Sequence, residues 1–544
     1  GLPHARPASG ASVTYRRPSI AHDGVMQTPV PTEVTVDVGP LTPVDVVAVA
    51  RDGAPVRLSD AAVNAIGQSR AAVDKLAAAP TPTYGVSTGF GALATRHIPA
   101  ELRTQLQRSL VRSHAAGSGP EVEREVVRAL MLLRLSTLAT GRTGIRLETA
   151  RAIAGLLNAG LTPIVHEYGS LGCSGDLAPL AHCALALLGE GEVVDADGAR
   201  RPAGEALAAI GQQPIELEAK EGLALINGTD GMLGMLLLAL HDLATLLETA
   251  DVAAAMSVEG LLGTDRVFAA DLQELRPHPG QARSAANLRR LLDGSPIVAS
   301  HRGPDCNRVQ DAYSLRCAPQ VHGAARDTLA HAAAVAEREL ASAVDNPVVL
   351  ADGRVESNGN FHGAPVAYAL DFCAIPVADV ASMSERRTDR FLDKARNHDL
   401  PPFLADDPGV DSGLMIAQYT AAGIVSDLKR LAAPASVDSI PSSAMQEDHV
   451  SMGWSAARKL RRAVDGLAHV LAIELVTAAR GIDLRAPLRP GPGTGAVVEL
   501  LRSQGVPGPG PDRPVAPAIE SAATLVRSGA VVDAVESALG SALE

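Results

Sequence analysis

Apolar residues recur at i, i+3 and i+4 through long stretches of this chain: 229–260, 323–344, 362–395, 412–432, 454–480 and 517–539. That spacing lines one face of a 3.6-residue helix, and few strand-like alternations interrupt it. A mainly α chain is expected. No short-period repeat underlies the pattern, which excludes a solenoid. Aromatic residues make up only 2% of the sequence, so packing must rest on Ala, Leu and Val. Each aromatic residue in a loop is correspondingly more informative.

The 544 residues are ample for a large core. A net charge of −13, with no basic tract, argues against a nucleic-acid or anionic-membrane partner. Five scattered cysteines, without C-x-x-C spacing, offer neither a zinc site nor a disulfide framework, and no metal-ligand spacing stands out among the 15 histidines. A reducing, cytoplasmic location is expected. Residues 1–34, rich in Pro, Ser, Thr and Ala, read as a disordered tail without the features of a secretory signal. The greasiest stretch, 231–240, looks too short to span a bilayer and is expected to be a buried core helix. Residues 58–79 read as a helix, 79–94 as a Pro- and Gly-rich loop, and Pro120 as the opening of another long helix.

Between these helical stretches lies Gly169-Ser170-Leu171-Gly172-Cys173-Ser174-Gly175-Asp176-Leu177-Ala178-Pro179-Leu180-Ala181-His182. One reading is a loop and helix start, with Asp176 capping free amides and Pro179 in the first turn. A second reading is chemical. The unhindered amide nitrogen of Gly175 can attack the Cys173 carbonyl. Loss of water there and from the Ser174 side chain leaves a methylidene-imidazolone ring. Position one contributes only its Cα and carbonyl to that ring, so Cys173 can stand where Ala would.

This run resembles the core of the aromatic amino acid ammonia-lyases, G-S-x-G-A-S-G-D-L-A-P-L-A-H, with Cys173 in place of the commoner Ala. The other loops carry further segments of the same family in the same order. Tyr84-Gly85-Val86-Ser87-Thr88-Gly89-Phe90-Gly91 is similar to the loop that holds the family's catalytic tyrosine. Ser113-His114 occupies the pair of positions that sorts substrates, where histidine-type members carry Ser-His. Asn227-Gly228, otherwise an ordinary turn signal, matches the asparagine that borders ring and substrate carboxylate. Gln310-Asp311-Ala312-Tyr313-Ser314-Leu315-Arg316 resembles Q-D-x-Y-S-x-R; an Arg fork there suits a bidentate carboxylate contact. Asp345-Asn346-Pro347 looks structural, and Phe361 is expected to wall the aromatic-ring pocket. Gln446-Glu447-Asp448-His449-Val450-Ser451-Met452 resembles the histidine-type Q-E-D-H-V-S-M. The resemblance covers residues 40–544.

The resemblance implies a mostly α-helical fold of the ammonia-lyase/fumarase-like kind. Residues 35–228 would form a smaller N-terminal portion carrying the electrophile, and 229–544 a long-helix bundle with substrate loops. It implies a homotetramer with shared active sites, and a 4-methylidene-imidazol-5-one formed from Cys173-Ser174-Gly175 with no external cofactor. It implies non-oxidative removal of ammonia from L-histidine to give trans-urocanate, the first step of histidine degradation. Tyr84 is then the base, with Tyr313 a neighbouring support for the developing anion. Arg316 and Asn227 hold the carboxylate, and Gln310 orders that shell. His114 and Glu447 pair with the imidazole, which needs a donor and an acceptor where a phenyl ring needs neither. A free phenol titrates near pH 10, so Tyr84 would need a polar or cationic setting. One alternative is a sister activity, tyrosine or phenylalanine lyase or an aminomutase, against which Ser113-His114 and Glu447 argue. Another is an inactive helical scaffold, whose signature would be loss of Ser174, Tyr84 or Arg316; all three are present.

Overall fold

The computed structural model describes residues 31–79, 83–89, 91–303 and 309–544. The expected tail falls largely on residues 1–30, outside that set, as do Phe90 and Cys306; the first strand already starts at Val34. The architecture is a bundle of long helices flanked by shorter ones and four sheets of two or three short strands. At its centre is the Asp230–Gly260 helix, 31 residues and about 46 Å long. It packs on each of the Ala318–Leu340, Ala364–Leu392 and Gly453–Asp483 helices. Because neighbours surround it, its sequence is apolar nearly all round, and residues 231–240 are buried as expected.

Burial is the relevant fact there, since length alone does not argue against a membrane. Two segments, Glu221–Gly260 and Ala364–Leu392, are long and apolar enough to cross a bilayer by length and composition. The apolar window of the first is wholly buried inside the chain. One continuous apolar core runs from Val34 to Leu543, and a small second cluster surrounds Val73 and Val86.

Several boundaries differ from the sequence reading. Pro120 lies in the Ser118–Glu121 strand, paired antiparallel with His166–Tyr168, and the helix begins only at Arg124. The amide of Val122 donates to Val165 O at 2.9 Å, so the ladder continues past Pro120 before the helix can start. The stretch 517–539 is two helices, Ala516–Ser528 and Ala530–Leu539, broken at Gly529 with φ +79°. Helices Leu147–Asn158, Pro279–Leu292 and Pro492–Ser503 escaped the sequence reading, being only 12 to 14 residues each.

The joint between the bundle and the N-terminal half centres on Trp454, the chain's one tryptophan. Its indole N–H donates to Glu167 O at 2.7 Å. Its ring lies so near Gly231 that a Cβ there would approach it to 2.4 Å.

Candidate active site

The 169–182 run links the His166–Tyr168 strand to the Leu177–Leu187 helix. Asp176 makes no side-chain cap on that helix, contrary to the simple reading. Its Oδ2 accepts instead from the amides of Gly231 and Met232, each at 2.9 Å, and so caps the central Asp230–Gly260 helix. Its Oδ1 accepts from Ser170 Oγ at 2.9 Å. Complete burial pushes the Asp176 carboxyl up to about 7, against the pull of these donors.

Gly175 has φ +76°, and a Cβ there would lie 2.1 Å from Gly228 O. Only glycine fits, because the two loops meet backbone to backbone; the Asp176 amide donates to the same Gly228 oxygen at 2.7 Å. On the other side, Gly172 O accepts from Ser451 Oγ at 2.7 Å and from the Gly363 amide at 2.9 Å.

Glu447 is the polar hub of this end. Its Oε1 accepts from Ser174 Oγ at 2.9 Å, and its Oε2 from Ser442 Oγ at 3.1 Å and Cys173 Sγ at 3.4 Å. The Cys173 side chain is therefore in contact with the site, beyond the backbone part expected of it. Burial, then the Glu447 charge, pushes its thiol up to about 11.

The same carboxylate acts electrostatically on Tyr84 and His114. His114 Nδ1 lies 2.9 Å from Leu110 O and 3.1 Å from Ser113 Oγ. A carbonyl only accepts, so the neutral ring carries its proton on Nδ1 and leaves Nε2 as acceptor. Burial lowers the His114 pKa and favours this neutral form. Tyr84 Oη accepts from the Gly91 amide at 3.4 Å. Burial, aided by the charges of Glu447 and Asp345, raises its pKa. The cationic setting a tyrosine base needs is thus not supplied at this end of the chain.

Asn227 is buried against the same loops, and its Oδ1 has no hydrogen-bond partner. Its backbone oxygen accepts from Arg134 Nη1 at 2.8 Å. Lys220 and Asp345 form an ion pair with no exposed surface on either side chain. Asp345 Oδ1 accepts from the Asn346 amide at 2.7 Å, and Asn358 Nδ2 donates to Asp345 O at 3.0 Å. Sequence reasoning missed Lys220 and Arg134. For Lys220 a signal existed: it is one of only five lysines, set directly before the buried Glu221–Ile226 helix. Phe361 is half-buried in the turn that precedes Ala364–Leu392, two residues before Gly363.

Gln310, Tyr313 and Arg316 lie elsewhere. Tyr313 and Arg316 bound a four-residue helix, with Tyr313 70% exposed and the Arg316 guanidinium 4.7 Å from the centre of its ring. Gln310 is exposed. Ser314 O of that helix accepts from Arg387 Nη1 at 3.1 Å. Arg387 stands 23 residues after Ala364, which is about 35 Å along the helix from the Gly172 end. Within one chain Tyr313 is therefore not a neighbour of Tyr84; the expected support of Tyr84 by Tyr313 would have to come across a site shared between copies. A cavity of about 120 Å³ lies at neither place, and its Arg51, Arg461, Glu125 and Asp242 are already paired with one another. Among the described residues no group of three or more His, Cys, Asp or Glu side chains is placed to hold a metal ion.

The Cys173-Ser174-Gly175 tripeptide fits the ring its sequence suggests. Gly175 sits where no side chain is tolerated, Ser174 presents its hydroxyl to a carboxylate, and the orphaned Asn227 oxygen adjoins Gly228. Residues 41–503 match the family described as aromatic amino acid lyase. The chain is 67% identical over 507 residues to a histidine ammonia-lyase of Streptomyces coelicolor, covering 93% of this chain and 99% of that protein. Among solved structures, a histidine ammonia-lyase from Trypanosoma cruzi superposes with a TM-score of 0.85 at 40% identity, covering 93% of this chain and 95% of its own. A tyrosine aminomutase from Streptomyces globisporus superposes with a TM-score of 0.89 at 37% identity, covering 94% and 100%. With the match spanning most of its length, the chain belongs to the aromatic amino acid lyase family.

Proposed function

We propose that this protein is a carbon–nitrogen lyase that removes ammonia from L-histidine to give trans-urocanate, the opening step of histidine breakdown. The observation that carries the reading is the Glu447 carboxylate. It touches Ser174 and Cys173 and acts on both Tyr84 and His114. The Streptomyces and Trypanosoma relatives named histidine ammonia-lyase support the choice of substrate.

The residues divide the labour by chemistry. The neutral His114 ring and the Glu447 carboxylate are both acceptors, so together they suit an imidazolium, and either one alone suits the N–H of a neutral imidazole; a phenylalanine side chain would donate to neither, at about 1–3 kcal/mol for a neutral acceptor left without a partner. Arg316 grips the substrate carboxylate through its fork, Asn227 Oδ1 receives an N–H beside it, and Gln310 orders the shell. Phe361 walls the imidazole pocket. Tyr84 takes the β-carbon proton, and Tyr313 steadies the charge that develops. The ring formed from Cys173-Ser174-Gly175 supplies an electrophile that makes the nitrogen a better leaving group.

Such a site needs more than one chain, since about 35 Å separates its two parts. The surface supports assembly. In a chain so poor in aromatics, Tyr368, Phe372 and Ile375 recur exposed along one helix, with Ile416 and Tyr419 exposed on the Met415–Leu431 helix. A homotetramer in the cytoplasm, each site closed by a second copy, brings the Arg316 cation to Tyr84 and supplies the setting that lowers its pKa. In this reading residues 35–228 carry the electrophile and base, and 229–544 the bundle and substrate loops.

The test offers L-histidine, L-tyrosine and L-phenylalanine to the purified protein, identifies products chromatographically and weighs the intact chain. Urocanate with a mass deficit of two waters is expected. Efficient coumarate with negligible urocanate overturns the substrate. Glu447→Gln, which keeps size but removes charge, should lower histidine turnover about a hundredfold without unfolding.

A further inference from the structure

We infer that the buried Arg387–Glu474 pair is a positioning device for Tyr313 and Arg316. The inference rests on the reading above, in which those two side chains meet the substrate.

Neither Arg387 nor Glu474 exposes any side-chain surface. Arg387 projects from Ala364–Leu392 and Glu474 from Gly453–Asp483. Arg387 Nη2 donates to Glu474 Oε2 at 2.9 Å, and Nε donates to Oε1, which also accepts from Ser257 Oγ at 2.7 Å. These contacts occupy both carboxylate oxygens and two of the three guanidinium nitrogens. The third nitrogen, Nη1, reaches out of the pair to Ser314 O at 3.1 Å.

Ser314 lies inside the Tyr313–Arg316 helix, one residue after Tyr313 and two before Arg316. Four residues cannot hold a helix by themselves, so this turn depends on its supports. Among them are the Leu315 side chain, buried in the main core, the Arg387 contact, and Asp311 Oδ2, which accepts from the Thr264 amide at 2.7 Å. Behind the pair stands a second buried cluster, where His322 Nδ1 lies 2.8 Å from Asp251 Oδ1 and Arg326 Nη2 pairs with Asp251 Oδ2 at 2.7 Å. It ties the Ala318–Leu340 helix, which follows the turn directly, to the central helix.

A buried ion pair is a poor way to gain stability, because desolvation offsets most of the attraction. Apolar side chains of the same volume would fill the space as well. They could not donate to the Ser314 carbonyl. That donation is what the charged pair adds. It fixes the height and rotation of a turn whose exposed Tyr313 and half-buried Arg316 already stack on one another. Arg387 grips the turn, and Glu474 holds Arg387 in the one orientation that reaches it.

The test separates grip from stability. Arg387→Met combined with Glu474→Leu removes both charges together, so neither is stranded. The ring end lies far away, so the two-water mass deficit should persist. KM for L-histidine should rise about tenfold, with kcat falling less, because the carboxylate contact of Arg316 is loosened. In an Arg316→Lys background the same pair of changes should cost less than about twofold more, since the two act through one contact. Arg387→Lys keeps the charge but loses the reach to Ser314, and should also raise KM. Glu474→Gln offers one acceptor to two guanidinium donors and leaves the Arg387 charge uncompensated, so Arg387 loses its fixed orientation and KM should rise as in Arg387→Lys. Wild-type KM in Arg387→Lys, or a full multiplicative loss on top of Arg316→Lys, overturns the inference. If Arg316→Lys alone behaves as wild type, the reading of Arg316 fails instead.

Discussion

The ring end and the Tyr313–Arg316 end of this molecule are built on opposite plans. At the ring end the functional groups are buried or half-buried, and the chain itself supplies their partners: Glu447 for Ser174 and Cys173, Leu110 O for His114, Gly228 for Gly175. At the other end Tyr313 and Gln310 stand exposed and Arg316 is half-buried against the Tyr313 ring, with supports reaching the turn from beneath. The difference teaches how a shared site can be divided. The proposed cyclisation needs neighbours held to about 0.5 Å, and Cys173-Ser174-Gly175 lies where one chain folds around it. Gripping a diffusing carboxylate needs only a presented fork, which a second copy can bring.

The largest expected effect tests the enclosed end. Ser174→Ala should lower turnover by about a thousandfold or more and leave a folded oligomer that lacks the two-water deficit. Cys173→Ala should keep the deficit and most activity. A folded Cys173→Ala chain without the deficit would give that thiol a part in ring closure.

Next, the two ends can be broken in separate chains. Ser174→Ala and Arg316→Ala should each be nearly inactive alone. Mixed by co-expression, they should recover about a quarter of wild-type activity, because random assembly leaves that share of sites with both parts intact. Activity no higher than either parent would place the whole site in one chain.

Stability should show the same contrast, more mildly. Asp345→Ala strands Lys220 in a space without water and should cost about 3–5 kcal/mol in urea unfolding. Lys220→Met combined with Asp345→Leu should cost much less. Tyr313→Ala, at the open end, should change stability by less than about 0.5 kcal/mol while damaging turnover.

The smallest effect is chemical. Alkylation requires a thiolate, and burial with the nearby Glu447 charge holds the Cys173 thiol up to about 11. At pH 8 it is protonated, so iodoacetamide should spare Cys173 in the folded protein. Labelling should appear only as pH rises toward 11. Fast labelling of Cys173 at pH 8 would mean the enclosed end opens readily.

What could be read before any coordinates followed from how local the cause was. The 3.6-residue pattern located the long helices because burial on one face is written into consecutive residues. The Pro120 boundary was misjudged because a strand partner 46 residues away, at His166, decides it. Tyr84, His114, Asn227 and Glu447 were legible as motif residues, yet no spacing shows that one carboxylate would bond Ser174 and Cys173 while its charge acts on Tyr84 and His114. Asp176 was legible as a cap. That it caps a helix starting 54 residues later is a property of the tertiary fold. The resemblance implied a site shared between copies, but how far Arg316 stands from Ser174 within one chain was invisible, since sequence order carries no measure of a helix 29 residues long lying between them.

Trp454 gives this molecule a built-in optical gauge. It is the chain's sole indole, sealed from water, with its N–H on the strand that leads into the cyclising loop and its ring against the start of the central helix. Emission excited at the red edge of protein absorption therefore comes from one point, the joint between the two halves. While that joint is closed the emission should lie to the blue, and any loosening should move it toward the red. If the proposed assembly of copies holds, the order in which colour and enzymatic output fade during denaturation tells whether the joint or the contact between copies yields first.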